Sequence, residues 1–122
     1  MNDADVVILG RKMQLRTKRH SDAEDDYRWR ADPELAELDA TTPLRIDYSD
    51  FQRMYESELR FPSVNMRRYA IDTYENVHIG NCMLYDINTF VGESEIGIMV
   101  GNRDYWGRGY GLDAMAHMVE LA

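Results

Sequence analysis

The nine-residue run from Arg103 to Gly111, RDYWGRGYG, contains the residue types that bind a phosphate. Its glycines stand at alternate positions, Gly107, Gly109 and Gly111, where the missing Cβ lets the backbone turn tightly and approach a ligand closely. A helix that begins at such a loop adds unpaired N–H groups and the positive end of its dipole, which together favour an anion such as pyrophosphate. Arg108 supplies a mobile positive charge. The run therefore predicts a phosphate-binding loop.

The segments on either side of this loop predict a strand before it and a helix after it. Residues 95–100, EIGIMV, form a short apolar run bounded by turn residues, which is typical of a largely buried strand. An amphipathic helix follows, whose polar side carries Asp113, His117 and Glu120. Its apolar residues at helical spacing are Leu112, Met115, Ala116, Val119 and Ala122. A dinucleotide-binding fold has the same local order, but its third glycine stands one position later.

The loop resembles the acetyl-CoA loop of the GNAT superfamily of N-acetyltransferases, which is written Gln/Arg-x-x-Gly-x-Gly/Ala. The matching residues here are WGRGYG at 106–111, so both essential glycines are present, and Trp106 replaces the usual first residue. The motif YWGRGY at 105–110 is similar to the corresponding motif in the branch that contains the ribosomal-protein N-terminal acetyltransferases. The N-terminal segment of proteins in that branch also resembles three stretches of this chain, namely Leu15-Arg16, Asp22-Ala23 and WRADPE at 29–34. The resemblance therefore spans nearly the whole chain.

Hydrophobic periodicity predicts a sheet of short strands flanked by helices. Strands are expected at 6–9 and 13–17, on either side of Gly10, and alternating residues indicate two more at 67–74 and 77–87. The strand before the glycine loop ends at Gly101. In the fourth of these, the residues predicted to share one side are Val77, Ile79, Asn81, Met83, Tyr85 and Ile87. The last three strands, joined by short turns, predict an antiparallel meander. We expect one α+β (α/β) domain over residues 1–122, with a GNAT-like mixed, mainly antiparallel sheet.

Capping patterns place three further helices in the first half of the chain. Ser21 with Glu24 predicts a capping box that opens a helix through about Ala31, and Asp32 with Pro33 predicts a second, short helix. A second candidate box, Ser49 with Gln52, predicts a helix that ends before Pro62. The apolar face of that helix is predicted to carry Tyr48, Phe51, Met54, Tyr55 and Leu59.

Composition restricts the classes of function. The formal net charge of −8 disfavours general nucleic-acid binding, which needs a basic surface, and an acidic balance serves either solubility or attraction of a polyamine or basic peptide. The single cysteine, Cys82, excludes an internal disulfide and is predicted to be a core residue. The histidines His20, His78 and His117 lack metal-ligand spacing, so no metal is expected. No signal peptide or long apolar stretch is present, and we expect a cytoplasmic protein without membrane attachment.

The resemblance implies the site residues. In that family, pantetheine pairs with the strand backbone, here at Ile98, Met99 and Val100, and one of these N–H groups polarises the thioester. The pyrophosphate would bind the amides of the loop, which assigns the cofactor acetyl-CoA to Trp106, Gly107, Arg108, Gly109, Tyr110 and Gly111. Tyr105 and Trp106 either pack the loop or line the cofactor groove. Glu95 is the expected general base, and Glu93 and Asp86 are the second choices. The alternative interpretation of Glu95 is an ordinary solvated strand residue without a catalytic role.

The resemblance also implies the function. We expect acetyl-CoA-dependent N-acetylation of a primary amine, on a small molecule or a peptide N-terminus, by direct transfer. The alternative is a noncatalytic GNAT-like interaction or CoA-binding module. Relatives continue past the helix after the loop with a parallel strand, another helix and a hairpin, so the fold is expected to be truncated to its N-terminal two-thirds. The expectation is a fragment of a longer enzyme, and the alternatives are completion by another chain or a reduced relative that no longer catalyses. The strand ending at Gly101 would then be an open edge, which predicts a homodimer.

Overall fold

A computed structural model describes residues 6–38, 41–88 and 92–121. The chain divides into two compact units. One unit is formed by Met1–Lys18 together with Ser63–Ala122, and the other by Arg19–Pro62.

The first unit contains a five-stranded antiparallel sheet in which every strand pairs with its neighbour in sequence. Its strands, in sheet order, are β1 (Val6–Leu9), β2 (Met13–Thr17), β3 (Met66–Thr73), β4 (His78–Asn88) and β5 (Glu93–Val100). The predicted strands and the predicted meander are therefore confirmed, with boundaries shifted by one or two residues.

A β-bulge in β4 changes which of its side chains are buried. Tyr69 pairs with Cys82 and Ile71 pairs with Gly80, but the next pair joins Asp72 to His78, so Ile79 is the extra residue. Ile79, Cys82 and Leu84 are all fully buried as a result. The prediction that the odd-numbered residues of this strand share one side is wrong, because the bulge shifts the alternation by one residue. Val77 precedes the strand and is exposed, and the side chain of Ile87 is outside the described residues.

The helix after the glycine loop, α4 (Tyr110–Leu121), packs on one face of the sheet. Its buried residues are Tyr110, Ala114 and Met118, which are spaced four apart and lie on one helical face. The main core consists of Met13, Leu15, Tyr69, Ile71, Ile79, Cys82, Leu84, Tyr110, Ala114 and Met118.

This packing corrects the predicted apolar face of α4. Leu112 is 79% exposed and Val119 is 61% exposed, and Met115 and Ala116 are also exposed, whereas Ala122 lies outside the described residues. The helix carries apolar residues on two faces, so hydrophobic periodicity alone could not choose between them. The aromatic ring of Tyr110, in the first turn, packs into the core and fixes which face follows it.

The second unit is helical. A short 3₁₀ turn at His20–Asp22 leads into α1 (Ala23–Ala31), followed by α2 (Pro33–Leu38) and α3 (Tyr48–Arg60). Ala23, Phe51 and Tyr55 form its buried cluster. The hydroxyl of Tyr55 donates to the buried carboxylate of Asp26 at 2.6 Å, which satisfies a polar group that would otherwise be costly to bury.

The structure confirms one of the three predicted helix caps. Asp32 Oδ1 accepts hydrogen bonds from the backbone N–H groups of Glu34 and Leu35, as expected for a cap of α2. The Ser21–Glu24 box is wrong, because a 3₁₀ turn precedes α1 and the side chain of Asp22 caps that turn through the N–H of Arg19. The Ser49–Gln52 box is also wrong, because α3 already begins at Tyr48.

The apolar face predicted for α3 is correct except at one residue. Phe51 and Tyr55 are buried, and Tyr48 and Leu59 are partly buried against the same cluster. Met54 is 50% exposed. It lies beside the packed stripe and does not belong to it.

The corrected face of α4 predicts opposite outcomes for two methionines of the same helix. Met118→Ala removes a fully buried side chain from the main core, and we expect the free energy of unfolding to fall by about 2 to 5 kcal/mol. Met115→Ala, the matched control on the exposed face, should change it by about 0.5 kcal/mol or less. Urea unfolding followed by circular dichroism measures both. Equal losses for the two variants would contradict this placement of the helix.

Candidate cofactor-binding site

Two glycines give the loop between β5 and α4 its shape. After a 3₁₀ turn at Arg103–Tyr105, the backbone reaches Gly107 with a φ of 69° and Gly109 with a φ of 86°. Residues other than glycine rarely adopt this left-handed region of φ. Both positions therefore favour glycine because of their backbone conformation. Tyr110 and Gly111, expected in the loop, are instead the first two residues of α4. The third glycine is therefore helical.

The beginning of α4 presents backbone donors at the end of this loop. The first hydrogen bond of the helix joins the N–H of Asp113 to the carbonyl of Gly109 at 3.0 Å. The N–H groups of Tyr110, Gly111 and Leu112 precede it and have no partner within the helix. Together with the helix dipole, these donors favour an anion at this position.

Trp106 joins the loop to the end of β5. Its indole Nε1 donates a hydrogen bond to the carbonyl oxygen of Val100 at 2.6 Å, and the guanidinium of Arg103 lies 5.5 Å from the centre of its ring system. A Cβ placed on Gly111 would lie 3.6 Å from Val100 Cγ2, so the first turn of α4 also contacts this strand end. The two segments predicted to bind the cofactor, 98–100 and 106–111, therefore meet at Val100.

Arg108 lies over aromatic rings of the same loop. Its guanidinium carbon is 5.0 Å from the ring centre of Tyr105 and 5.8 Å from that of Tyr110, and its Nη1 donates to the carbonyl of Asp104. The two tyrosine rings meet edge to face at 5.4 Å. Tyr105 packs against the main core. The aromatic residues of the loop therefore pack it in place and support the cation.

Strand β5 presents different chemistry on its two faces. Ile96, Ile98 and Val100 pack toward the main core, so Glu95 and Met99 belong to the opposite face by strand alternation. Glu95 is exposed and lies directly opposite Tyr85 in the β4–β5 register. It precedes Val100 by five residues, which corresponds to roughly 16 Å along a strand. Its exposure suits both an accessible base and an ordinary solvated strand residue.

The two reserve carboxylates differ in what the structure describes. Glu93 is the first residue of β5 and is exposed. Asp86 belongs to β4, but its side chain lies outside the described residues.

The β1–β2 turn lies beside the loop, a contact that no local sequence pattern indicates. Asp113 Oδ2, in the first turn of α4, accepts hydrogen bonds from the backbone N–H groups of Lys12 at 2.8 Å and Met13 at 3.3 Å. A Cβ on Gly10 would lie 2.5 Å from the same oxygen, so the turn approaches the carboxylate closely. The side chain of Lys12 then extends to Gly109 and Tyr110. A pair so distant in the chain leaves no local pattern.

The surroundings of Asp113 lower the pKa of its carboxyl group. Partial burial acts to raise this pKa, but the backbone N–H groups of Lys12, Arg11 and Met13 outweigh it, and His117 adds to the lowering. His117 Nδ1 lies 3.5 Å from Asp113 Oδ1. Folding therefore favours the ionised carboxylate.

Cys82 is inert in this structure. Burial raises the pKa of its thiol to about 12, against a smaller lowering by Lys18. The thiol therefore stays protonated at neutral pH and packs in the main core, as predicted for it. Within the described ranges there is no group of three His, Cys, Asp or Glu side chains that could hold a metal ion. Nor does that part of the chain contain a helix long and apolar enough to cross a bilayer.

Sequence comparison identifies a family. The family model described as acetyltransferase (GNAT) domain matches residues 12–122, which include the loop, β5 and the helices of the second unit. A search of curated proteins finds no match.

Solved structures share the fold at low sequence identity. Spermidine N-acetyltransferase from Vibrio cholerae, in complex with CoA and spermine, is 15% identical with a TM-score of 0.77, and the match covers 89% of this chain and 62% of that one. An aminoglycoside acetyltransferase in complex with coenzyme A is 22% identical, with a TM-score of 0.69 and coverage of 89% and 66%. RimL, a ribosomal L7/L12 alpha-N-protein acetyltransferase, is 13% identical, with a TM-score of 0.68 and coverage of 96% and 66%. The chain thus spans somewhat less than two-thirds of the spermidine enzyme.

The lowered pKa of Asp113 predicts a pH-dependent contribution to stability. Because the folded pKa is below the unfolded value of about 3.9, the contribution is present above that pH and is lost as the pH falls through the folded pKa. Asp113→Asn should lower the free energy of unfolding by about 1 to 2 kcal/mol at pH near 7, and this difference should shrink on acidification. Urea unfolding across the pH range measures it.

A matched control is Asp50→Asn, which removes an exposed carboxylate from α3 and should have a small effect throughout. A loss at Asp113 that is independent of pH would show that the carboxylate charge does not contribute.

Proposed function

The chain belongs to the acetyltransferase (GNAT) domain family, and on that premise we propose that it is an acetyl-CoA-dependent N-acetyltransferase. The observation that carries the proposal is the loop itself, in which Gly107 and Gly109 adopt positive φ just before α4 begins and Trp106 ties it to the end of β5. This geometry aims backbone donors and a helix N-terminus at one position, which suits the pyrophosphate of the cofactor.

We propose that residues 1–122 form one domain, which corresponds to the N-terminal two-thirds of the family's fold. The family match runs from residue 12 to residue 122 and so includes residues of both units. The coverage of the three similar structures, 62% to 66% of their own chains, supports the same correspondence. The cytoplasmic location expected from the sequence stays a prediction.

Acetyl-CoA is the proposed cosubstrate. Its pyrophosphate is assigned to the amides of Gly107, Gly109, Tyr110 and Gly111 with Arg108 beside them, and its pantetheine arm to the backbone of Ile98, Met99 and Val100. Trp106 belongs to both parts, because its indole already occupies the carbonyl of Val100. An arm that pairs with this carbonyl must share it with the indole or displace it. The CoA complexes of the two similar acetyltransferases support the choice of cosubstrate.

The proposed reaction is direct transfer to a primary amine. A neutral amine nitrogen attacks the thioester carbonyl, and the new C–N bond forms as the C–S bond breaks. The nitrogen loses one proton to give the amide, and the CoA thiolate that leaves takes up one proton. Glu95 is the proposed base that accepts the proton from the acceptor ammonium, directly or through water, and its exposed position on β5 leaves it accessible. A backbone N–H of β5 would stabilise the oxyanion.

The acceptor is proposed to be an amine on a small molecule or a protein N-terminus. The similar structures include enzymes named for spermidine, for aminoglycosides and for the N-terminus of a ribosomal protein, all of which are amines. The phrase YWGRGY favours the last of these, the ribosomal-protein N-terminal acetyltransferase branch. Thiol release from acetyl-CoA, measured against a panel of polyamines, aminoglycosides and peptide N-termini, tests the proposal. No release with any amine would contradict it.

The loop geometry predicts that a side chain at Gly109 abolishes cofactor binding. Gly109→Val combines a φ of 86° with a β-branched residue, so the loop must change its backbone conformation and lose its aligned donors. Isothermal titration with CoA measures the effect, in a variant shown to be folded by circular dichroism. The matched control is Gly111→Ala, whose Cβ would meet Val100 Cγ2 at an ordinary 3.6 Å in a helical backbone. Unchanged affinity in Gly109→Val would remove the loop from the cofactor site.

The assigned base predicts a separation of chemistry from binding. Glu95→Gln should lower kcat by roughly two to four orders of magnitude while leaving CoA affinity nearly unchanged, because the amide cannot accept the proton. Glu93→Gln, also exposed and on the same strand, is the matched control and should retain most activity. A near-normal rate for Glu95→Gln across the pH profile would exclude Glu95 as the base.

One observation favours the alternative of a noncatalytic, dimerising module. Within the described residues β5 pairs only with β4, so its other edge carries a row of backbone groups beside partly buried apolar side chains. Strand edges of this kind are normally covered, and we propose a homodimer through β5. Light scattering at high concentration tests it, and a stable monomer would contradict it. A dimer that binds CoA but releases no thiol would favour the module.

A further inference from the structure

The β1–β2 turn places a second cation at the glycine loop. A Cβ built on Gly109 would lie 3.5 Å from Lys12 Cδ and 3.9 Å from Lys12 Nζ. The same ammonium is 5.2 Å from the ring centre of Tyr110. Lys12 therefore reaches the two residues at which the loop ends and α4 begins, although it belongs to the opposite end of the chain.

The backbone of Lys12 is held firmly while its side chain stays exposed. Its N–H donates to Asp113 Oδ2, and the turn is closed by a hydrogen bond from the N–H of Gly10 to the carbonyl of Met13 at 2.8 Å. Tyr74 directly follows β3, and its hydroxyl donates a hydrogen bond to the carbonyl of Gly10. Because Asp113 belongs to the first turn of α4, the same contact fixes the position of Lys12 relative to the helix N-terminus.

Charge at this position is the reverse of the protein's overall charge. The chain carries a net charge of −8, yet the Lys12 ammonium and the Arg108 guanidinium both lie against the ring of Tyr110, at 5.2 Å and 5.8 Å. In the part of the chain that the structure describes, neither side chain forms an ion pair with a carboxylate. The nearby Asp113 carboxylate is directed at backbone N–H groups and at His117. Two cations beside the first residue of α4 make this end of the loop locally positive, which favours an anion there.

We propose that Lys12 is a cofactor-binding residue whose ammonium contacts the pyrophosphate of acetyl-CoA, beside the loop amides and Arg108. The inference rests on the proposed function, since it assigns one more residue to the same site. Its position next to Gly109 selects the pyrophosphate over the 3′-phosphate of the cofactor, because the pyrophosphate is the group assigned to the loop. A lysine suits this role as a mobile point charge on a flexible stem.

Two substitutions at Lys12 separate its charge from its packing. Lys12→Met keeps an unbranched side chain against Gly109 and Tyr110 and removes the charge, and Lys12→Arg keeps the charge. Isothermal titration of the chain with CoA and with dephospho-CoA, which lacks the 3′-phosphate, is the measurement. We expect Lys12→Met to weaken both ligands roughly tenfold and Lys12→Arg to retain most of the affinity. The loss should diminish at high salt, as for any exposed charge pair.

The control and the contrary outcomes are specific. Arg53→Met, which removes an exposed cation from α3, changes the net charge equally and should leave CoA affinity unchanged. Equal affinity of wild type and Lys12→Met would overturn the role of Lys12 while leaving the proposed function standing. A loss confined to CoA, with dephospho-CoA unaffected, would overturn the assignment to pyrophosphate. Failure of the wild-type chain to bind either ligand would overturn both the inference and the proposed function.

Discussion

The hydrogen bonds from the β1–β2 turn to the carboxylate of Asp113 connect the parts of the sheet unit that are farthest apart in sequence. They join the first hairpin to the first turn of α4, and that turn follows directly from the positive φ of Gly109. Once the helix begins there, Tyr110 enters the core, and Ala114 and Met118 follow it on the same face. The same contact brings Lys12 to the loop. Fold and candidate site therefore depend on one short-range electrostatic arrangement.

Strands were predictable from the sequence because alternation, short apolar runs and turn residues are local properties, and each of the five was found within one or two residues. Helix starts and faces were predictable only in part, because nonlocal packing decides some of them. The cap at Asp32 and the apolar face of α3, apart from Met54, were correct. The 3₁₀ turn at His20–Asp22 moved the first cap from Ser21 to Asp22, and the two apolar faces of α4 could be separated only by the burial of Tyr110. In β4 a bulge at Ile79 reversed the alternation.

The candidate site was predictable to the extent that it is carried by one continuous segment. The glycines at 107 and 109 indicated a tight turn, because tolerance of positive φ is a property of the residue itself. The sequence did not distinguish them from Gly111, which is helical. The contact of Trp106 with Val100 follows from the short connection between β5 and α4. Lys12 was missed for the opposite reason, since an unremarkable basic residue in a hairpin turn acquires its position only when the sheet has formed.

The net charge of the chain and the charged groups at the loop act on a ligand over different distances. A net charge of −8 repels an anionic cofactor at a distance and attracts cationic amines, so the overall field favours the proposed acceptor and opposes the proposed cosubstrate. Screening limits that repulsion to about 8 Å at physiological ionic strength. Within this distance the local donors decide the outcome, and the proposed donors are the helix N-terminus and the cations of Lys12 and Arg108. In the proposed arrangement two positive groups lie together at the loop, and the net negative charge of the chain keeps an attraction for amines that a diffuse basic surface would lose.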